Sequence, residues 1–574
     1  MSSSSKKKLR KEQEVANLTE KQLAAKKEEK KLKVYTASFW VVLVLCVCLV
    51  AGMALKGPVV GMTRKVTTAA IVNDEKISAV ELNYFYIDAI NNYCNQYSSY
   101  LSYFLDTSKP IGEQYYDEEG NVTWADEFLD MALESVKNNY ALYNAAKAAG
   151  HTLSDEEKET TKELFSQLKT AAKSYGYSTS NGYLKALYGK GASLSSYKAY
   201  YEITSLASSY YTAYTEKAEA AIKDADLREY EADKMYEFNS YTYASYYMNV
   251  DSFKEGGTKD DKGNVTYSDE EIKAAEAAVK AAAEALAVSE NNTLEALNAA
   301  IAAADKTSAA ATATADEATK DEAKKASATE NKDVKYASVN TAVQEWIRDD
   351  ARKEGDIAAL PYTTTSTVDG KEVETLKGYY VVLFQSVNDN TFALKDVRHI
   401  LVSYEGGKTD DNGTTTYSDE EKNAAKEKAE AILKDWEAGA KTEDSFAELA
   451  KEKSTDTGSK ENGGLYEAVY PGQMVTPFED WCYDETRKEG DTGIVQTDYG
   501  YHVMYFSGDN ETNYRDYMVK NALLNETIED WQTALNEATT VTAKNTKHID
   551  RDMVLGGSSS NSLTTEEDHE GHNH

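Results

Sequence analysis

Only seven histidines occur among the 574 residues, and two of them stand in short apolar stretches: His399 in Val397-Arg398-His399-Ile400-Leu401-Val402 and His502 in Tyr499-Gly500-Tyr501-His502-Val503-Met504. Both stretches are rich in β-branched and aromatic residues and predict strands. Alternation puts His399 with Leu401 on one face of the first strand, and His502 with Met504 and Phe506 on one face of the second. A single histidine on a strand is ordinarily a satisfied core residue. Two of them with the carboxylate of Asp456 offer hydrogen-bonding chemistry or, by residue type alone, a metal site.

The elements that must position these groups lie between them. Ala425, Ala429, Ile432, Leu433 and Trp436 form the apolar stripe of a helix ending near Gly439, and Thr442 caps a second helix carrying Phe446, Leu449 and Ala450. Then come Ser454-Thr455-Asp456, Gly463-Gly464 and Gly472-Gln473-Met474-Val475-Thr476-Pro477-Phe478-Glu479. This ordered set resembles the parvulin family of peptidyl-prolyl cis/trans isomerases, and the layout of strand, two helices, turn-rich segment, helix and paired strands is the one that family implies.

The resemblance implies roles. Met474 and Phe478, with Leu465, would form a proline pocket, the i, i+4 spacing placing Met474 and Phe478 on one helical face. His399 and His502 would form its floor, with Thr497 fixing their tautomers. Asp456 would act electrostatically on the prolyl carbonyl or on the hydrogen-bond network. Neither a metal nor a cofactor is expected. The stretch Ser403-Tyr404-Glu405-Gly406-Gly407 has no arginine, so phosphoserine–proline specificity is not expected. The reaction itself needs no covalent chemistry. Resonance holds the amide planar behind a barrier of ~18–20 kcal/mol, and an X–Pro bond exchanges unaided in roughly tens to hundreds of seconds. An apolar slot and polar groups that favour the twisted amide suffice.

The whole chain sets the context. Its 63 Lys and Arg against 97 Asp and Glu give a net charge of −34, which excludes nucleic acid as a partner. Residues 1–34 reverse the sign, with 11 Lys and Arg against 5 Glu, and lead into the uncharged run 37–55. That run predicts a transmembrane signal-anchor over 35–56, with the basic segment cytoplasmic and the bulk outside. Gly52-Met53-Ala54 fits a signal peptidase, but Leu45 and Val47 before Cys46 and Cys48 do not fit lipid attachment, and an uncleaved anchor is expected. Cys94 and Cys482 are expected to be unpaired.

Residues 66–239 predict a helical domain that opens with a strand, an Asn73-Asp74 turn and a helix capped by Ser78, as in PrsA-like and SurA-like chaperones. Its tyrosines, part of 42 in the chain, would either line a groove for unfolded polypeptides or pack as core. A repeat follows. Residues 255–271 and 405–421 agree at twelve of seventeen positions, and Trp346 with Arg352–Asp356 parallels Trp481 with Arg487–Asp491. Two copies of one α+β domain are therefore expected at 240–388 and 394–508. The acidic tracts are not EF-hands, since Gly413 at the invariant glycine would put Lys408 first and Asp419 last. They predict a hairpin and a Ser418–Glu421 capping box. The first copy is degenerate: no histidine lies between His151 and His399, Tyr380 replaces His502, Val339 and Val343 replace Met474 and Phe478, and Ala310–Lys332 lacks the double glycine.

A helical segment over 510–550, expected to pack on the N-terminal region, and a disordered acidic and histidine-bearing tail over 555–574 complete an α+β fold with a transmembrane helix, a helical chaperone-like domain and two tandem parvulin-like domains. The implied function is a membrane-anchored extracytoplasmic isomerase and foldase acting on unfolded or nascent exported polypeptides. The alternatives are a non-catalytic holdase that retains the fold, and a structural surface or adhesion protein.

Overall fold

A computed structural model of the chain describes residues 59–98, 100–117, 119–260, 262–312, 326–368, 371–410 and 414–555. The basic segment 1–34, the apolar run 35–56 and the tail from residue 556 on lie outside the described residues, as does most of the alanine- and threonine-rich run after Ala310. Among the described residues no helix is long and apolar enough to cross a membrane. The chain divides into two bodies, residues 1–220 with 527–567, and 221–526 with 568–574.

The first body is mostly helical. Strands β1 (Thr68–Val72) and β2 (Glu75–Ser78) meet at a turn with Asn73 at φ 50°, and Ser78 Oγ accepts the Glu81 N–H to cap the helix Ala79–Gln96. That helix buries nine consecutive-turn residues, including Tyr84, Phe85 and Tyr86, against the helix Trp124–Ala149 and the start of the helix Leu194–Ala221. Tyr84, Tyr188, Tyr197 and Tyr200 are buried and meet one another with ring centroids 5.0–6.0 Å apart, so these tyrosines are core. Trp531, on the helix Tyr514–Glu537, stacks flat on Tyr214 at 3.7 Å.

The second body holds two four-stranded antiparallel sheets. Strands β3 (Ser240–Asn249), β6 (Thr329–Lys335), β7 (Ile357–Val368) and β8 (Lys371–Asn388) run in the order β6-β3-β8-β7, with the small hairpin β4 (Thr258–Lys259)–β5 (Val265–Thr266) after β3. Strands β9 (Ala393–Ser403), β12 (Leu465–Val469), β13 (Thr492–Thr497) and β14 (Gly500–Asn513) run in the order β12-β9-β14-β13, again with a hairpin, β10 (Lys408–Thr409)–β11 (Thr415–Thr416), after β9. Strand β15 (Val541–Ala543) returns to pair with β1. The two sheets thus share one topology, and the repeat extends to detail. Glu421 closes a capping box with Ser418 and also accepts the Gly407 N–H, and Glu271 does the same with Ser268 and Gly257. The first copy differs by a longer β7–β8 hairpin and by the one-turn helix Val250–Phe253.

The second sheet has two dressed faces. Ile400, Val402, Tyr501, Val503 and Tyr505 pack against the helices Asp419–Ala438 and Glu443–Lys453 through Ala425, Trp436 and Phe446. Val397, Val469, Val495, Met504 and Phe506 face the short helix Thr476–Cys482 through Phe478 and Cys482. Each such large side chain contributes ~1.5–3 kcal/mol on full burial. Cys94 and Cys482 are both free thiols.

Candidate active site

Central strands β9 and β14 carry the two histidines, and antiparallel pairing sets Met504 opposite His399 and Leu401 opposite His502. Both rings are buried and lie nearly parallel, 19° apart, with Nδ1 of one 2.9 Å from Nδ1 of the other. The rest of the chain of contacts fixes the protons. Asp456 Oδ2 lies 2.8 Å from His399 Nε2, and a carboxylate can only accept, so Nε2 carries a hydrogen. In the neutral ring Nδ1 is then bare and accepts from His502 Nδ1–H, which leaves His502 Nε2 to accept from the Thr497 hydroxyl at 2.8 Å. Thr497 Oγ1 itself receives the Tyr499 N–H at 3.2 Å. One consistent order runs Thr497 to His502 to His399 to Asp456.

Electrostatics support that order. Burial, followed by the neighbouring His399, pushes His502 down to about 3, against a smaller opposing pull from Asp456, so the ring is neutral in the physiological range. Burial would raise the Asp456 carboxyl, but hydrogen bonds from His399, Ser459 and the Gly458 N–H hold it well below the usual carboxylate range. Ser459 donates a short bond to Asp456 Oδ2, and the Tyr466 hydroxyl adds another at 3.2 Å. Among the described residues no group of three His, Cys, Asp or Glu is placed to hold a metal ion.

Apolar walls stand on this floor. The Phe478 ring meets His399 and His502 edge-on, each centroid 5.4 Å away. Met474 packs into the same apolar cluster, half-buried. It does not share a helical face with Phe478, because the helix begins at Thr476 with Pro477 in its first turn, and Met474 lies in the turn before it. Leu465 is not brought to the site. It pairs with Arg398, whose side chain points to the opposite face and binds Glu443, whereas Tyr466 pairs with Val397 and places its ring 5.3 Å from His399. Tyr466 is thus a site residue that motif reading missed.

The double glycine explains how the Asp456 loop reaches the floor. Gly463 and Gly464 adopt φ 69° and 72°, and a Cβ on Gly464 would sit 2.1 Å from the His399 carbonyl oxygen. With nothing there, the His399 N–H bonds to the Gly464 carbonyl at 2.8 Å.

The fold and site define a parvulin-type α+β domain. Residues 373–508 match the PPIC-type PPIASE domain family, a stretch that begins inside β8 and ends inside β14, past His502. The chain is similar to foldase protein PrsA 1 of Listeria innocua, 43% identical over 75 residues, covering 13% of this chain and 26% of that protein. It is also similar to foldase protein PrsA of Staphylococcus epidermidis, 32% identical over 176 residues, covering 30% and 51%. The similarity therefore spans about a quarter to a half of the length of these curated relatives. Among solved structures, PrsA of Bacillus cereus aligns at 26% identity over 26% of this chain and 50% of that one, with a TM-score of 0.17. PrsA of Bacillus subtilis aligns at 14% identity over 75% and 90%, with a TM-score of 0.23. Residues 373–508 thus form a PPIC-type parvulin domain, in a chain that is similar to PrsA foldases over part of their length.

Proposed function

We propose that the chain is a membrane-anchored extracytoplasmic foldase whose second sheet isomerises X–Pro bonds in unfolded exported polypeptides. The observation that carries this reading is the edge of Phe478 standing across both rings of a fully hydrogen-bonded histidine pair. With Thr497 and Asp456 engaged, every ring nitrogen of His399 and His502 has a partner within the protein. The imidazoles then serve as a rigid floor, and proton transfer to substrate is not required of them. A proline ring held by Phe478, Met474 and Tyr466 would bring its carbonyl near Asp456. The planar amide places partial negative charge on that oxygen, and twisting removes it. A fixed carboxylate in an apolar slot therefore disfavours the planar ground state more than the twisted transition state.

The first sheet, with Tyr380 at the His502 position, is read as a degenerate copy without this floor. In the first body, Tyr97, Tyr100, Tyr103, Phe104, Tyr115 and Tyr116 are exposed. Tyr97 connects to Tyr116 through ring contacts with Tyr93 and Trp124 at 4.6, 5.3 and 4.9 Å. Such a group of exposed rings, seated on the buried Trp124, suits transient capture of unfolded chains, and it also favours the second reading, a holdase without turnover. A protease-coupled assay on a short X–Pro peptide separates the two. Acceleration by the full chain, lost in Phe478→Ala, supports the isomerase. No acceleration, with aggregation still suppressed, leaves the holdase.

A further inference from the structure

Three lysines line one cleft of the first body. The cleft, of about 520 Å³, is lined by Lys65, Lys185 and Lys190 together with Gly61, Met62 and Ser193. In a chain of net charge −34, three ammonium groups at one cleft run against the general charge, and among the described residues none of the three is ion-paired. Asp550, which lies behind Gly189, is committed to the Arg64 guanidinium by two bonds of 2.8 and 2.6 Å and to Asn83 at 3.1 Å. The floor depends on glycine. A Cβ on Gly191 would sit 2.7 Å from Val80, and one on Gly61 would sit 3.1 Å from the Gly191 nitrogen.

A second observation lies beside the first. Residues 59–66 are helical, and their outer face shows Val59, Met62 and Val66, which are 59%, 72% and 77% exposed, next to Lys65. Spacing of three and four residues aligns these apolar side chains on one stripe. The uncharged run 37–55 ends four residues before Val59. An apolar stripe flanked by lysines, so close to a segment of that composition, has the pattern of a helix lying in a lipid interface.

We infer that this cleft seats the phosphate of an anionic phospholipid headgroup while Val59, Met62 and Val66 dip into the bilayer surface, so that the first body rests on the membrane. The inference is independent of the isomerase reading. Its test uses the full chain reconstituted into vesicles of phosphatidylcholine alone, or of phosphatidylcholine mixed with phosphatidylglycerol, with the acylation rate of each lysine by a water-soluble reagent read by mass spectrometry. Lys65, Lys185 and Lys190 are expected to react about fivefold more slowly each in the phosphatidylglycerol vesicles, with exposed lysines elsewhere, such as Lys262 and Lys434, unchanged. Hydrogen exchange over 59–66 should slow in the same vesicles, and this should be lost in the K65Q/K185Q/K190Q triple variant. Equal reactivity in the two compositions overturns the proposal. So does equal protection on adding millimolar glycerol phosphate to the phosphatidylcholine vesicles, since that would assign the cleft to a free phosphate ester.

Discussion

At the residue scale the account rests on His399, His502 and Asp456. Substituting Asp456 by alanine should lower kcat/KM by about tenfold to a hundredfold, ~1.4–2.7 kcal/mol of barrier, at or below the low end of the loss when one preorganised oxyanion-hole donor is removed. Tyr466→Phe, which loses only the hydroxyl on Asp456, should cost less than Tyr466→Ala, which also opens the apolar wall; peptide kinetics rank the two. The depressed His502 also fixes a pH dependence of stability. The unfolded ring takes up a proton near its ordinary pKa of about 6.5, whereas the folded ring resists until about 3. Between those values the unfolded state binds more protons, so this stabilisation is complete above pH ~6.5 and is lost as the pH falls towards 3. Asp456, also depressed, has the same sign at lower pH. Urea midpoints between pH 7 and 4 should fall less steeply in His502→Asn than in the unaltered protein; parallel slopes would refute this. The two histidines and Asp456 were legible from residue type and order. Tyr466 was not: the resemblance pointed to Leu465, the residue that unbroken alternation with Val469 would also put on the site face. A bulge between Tyr466 and Val469, with Ala468 at φ 53°, turns the strand over by one residue.

At the element scale, the Asp456 loop is held to β9 by Gly464, and Gly464→Ala tests that. A left-handed φ and a Cβ 2.1 Å from the His399 carbonyl oxygen should destabilise the second body by more than ~2 kcal/mol. The unfolding midpoint followed by Trp436 and Trp481 fluorescence reads the loss, and catalysis should fall even where the protein stays folded. Most elements here could be read in advance. The capping box at Ser418, the cap at Thr442 and the stripe on the helix Asp419–Ala438 are local signals that the tertiary structure keeps. The exception is Met474. Pro477 has no N–H for the Gln473 carbonyl and clashes with it in a helix, so the helix could not have begun early enough to include Met474. That signal was present in the sequence, and the i, i+4 spacing was read in its place.

At the scale of the whole molecule, the repeat was visible as twelve identities in seventeen residues, and the shared strand order gives it physical form. The extended β7–β8 hairpin was recorded only as a change in spacing between Trp346–Gly378 and Trp481–Gly500. Whether the tyrosines of the first body would be core or surface could not be read, since Tyr suits both. Tyr84, Tyr140 and Tyr200 are buried while Tyr100 and Tyr103 are exposed, and only packing distinguishes them. Replacing Tyr103 and Phe104 by serine should weaken suppression of client aggregation, read by light scattering, while peptide isomerisation is unchanged; a parallel loss of both would tie the two activities to one site. The most direct test of the central claim is NMR exchange spectroscopy on a short X–Pro peptide with catalytic amounts of the full chain. Cis–trans exchange should rise above the uncatalysed rate with the unaltered protein and be about tenfold to a hundredfold slower with the same amount of D456A. Exchange undiminished in that variant, or exchange that never rises above the uncatalysed rate with the unaltered protein, would contradict the account.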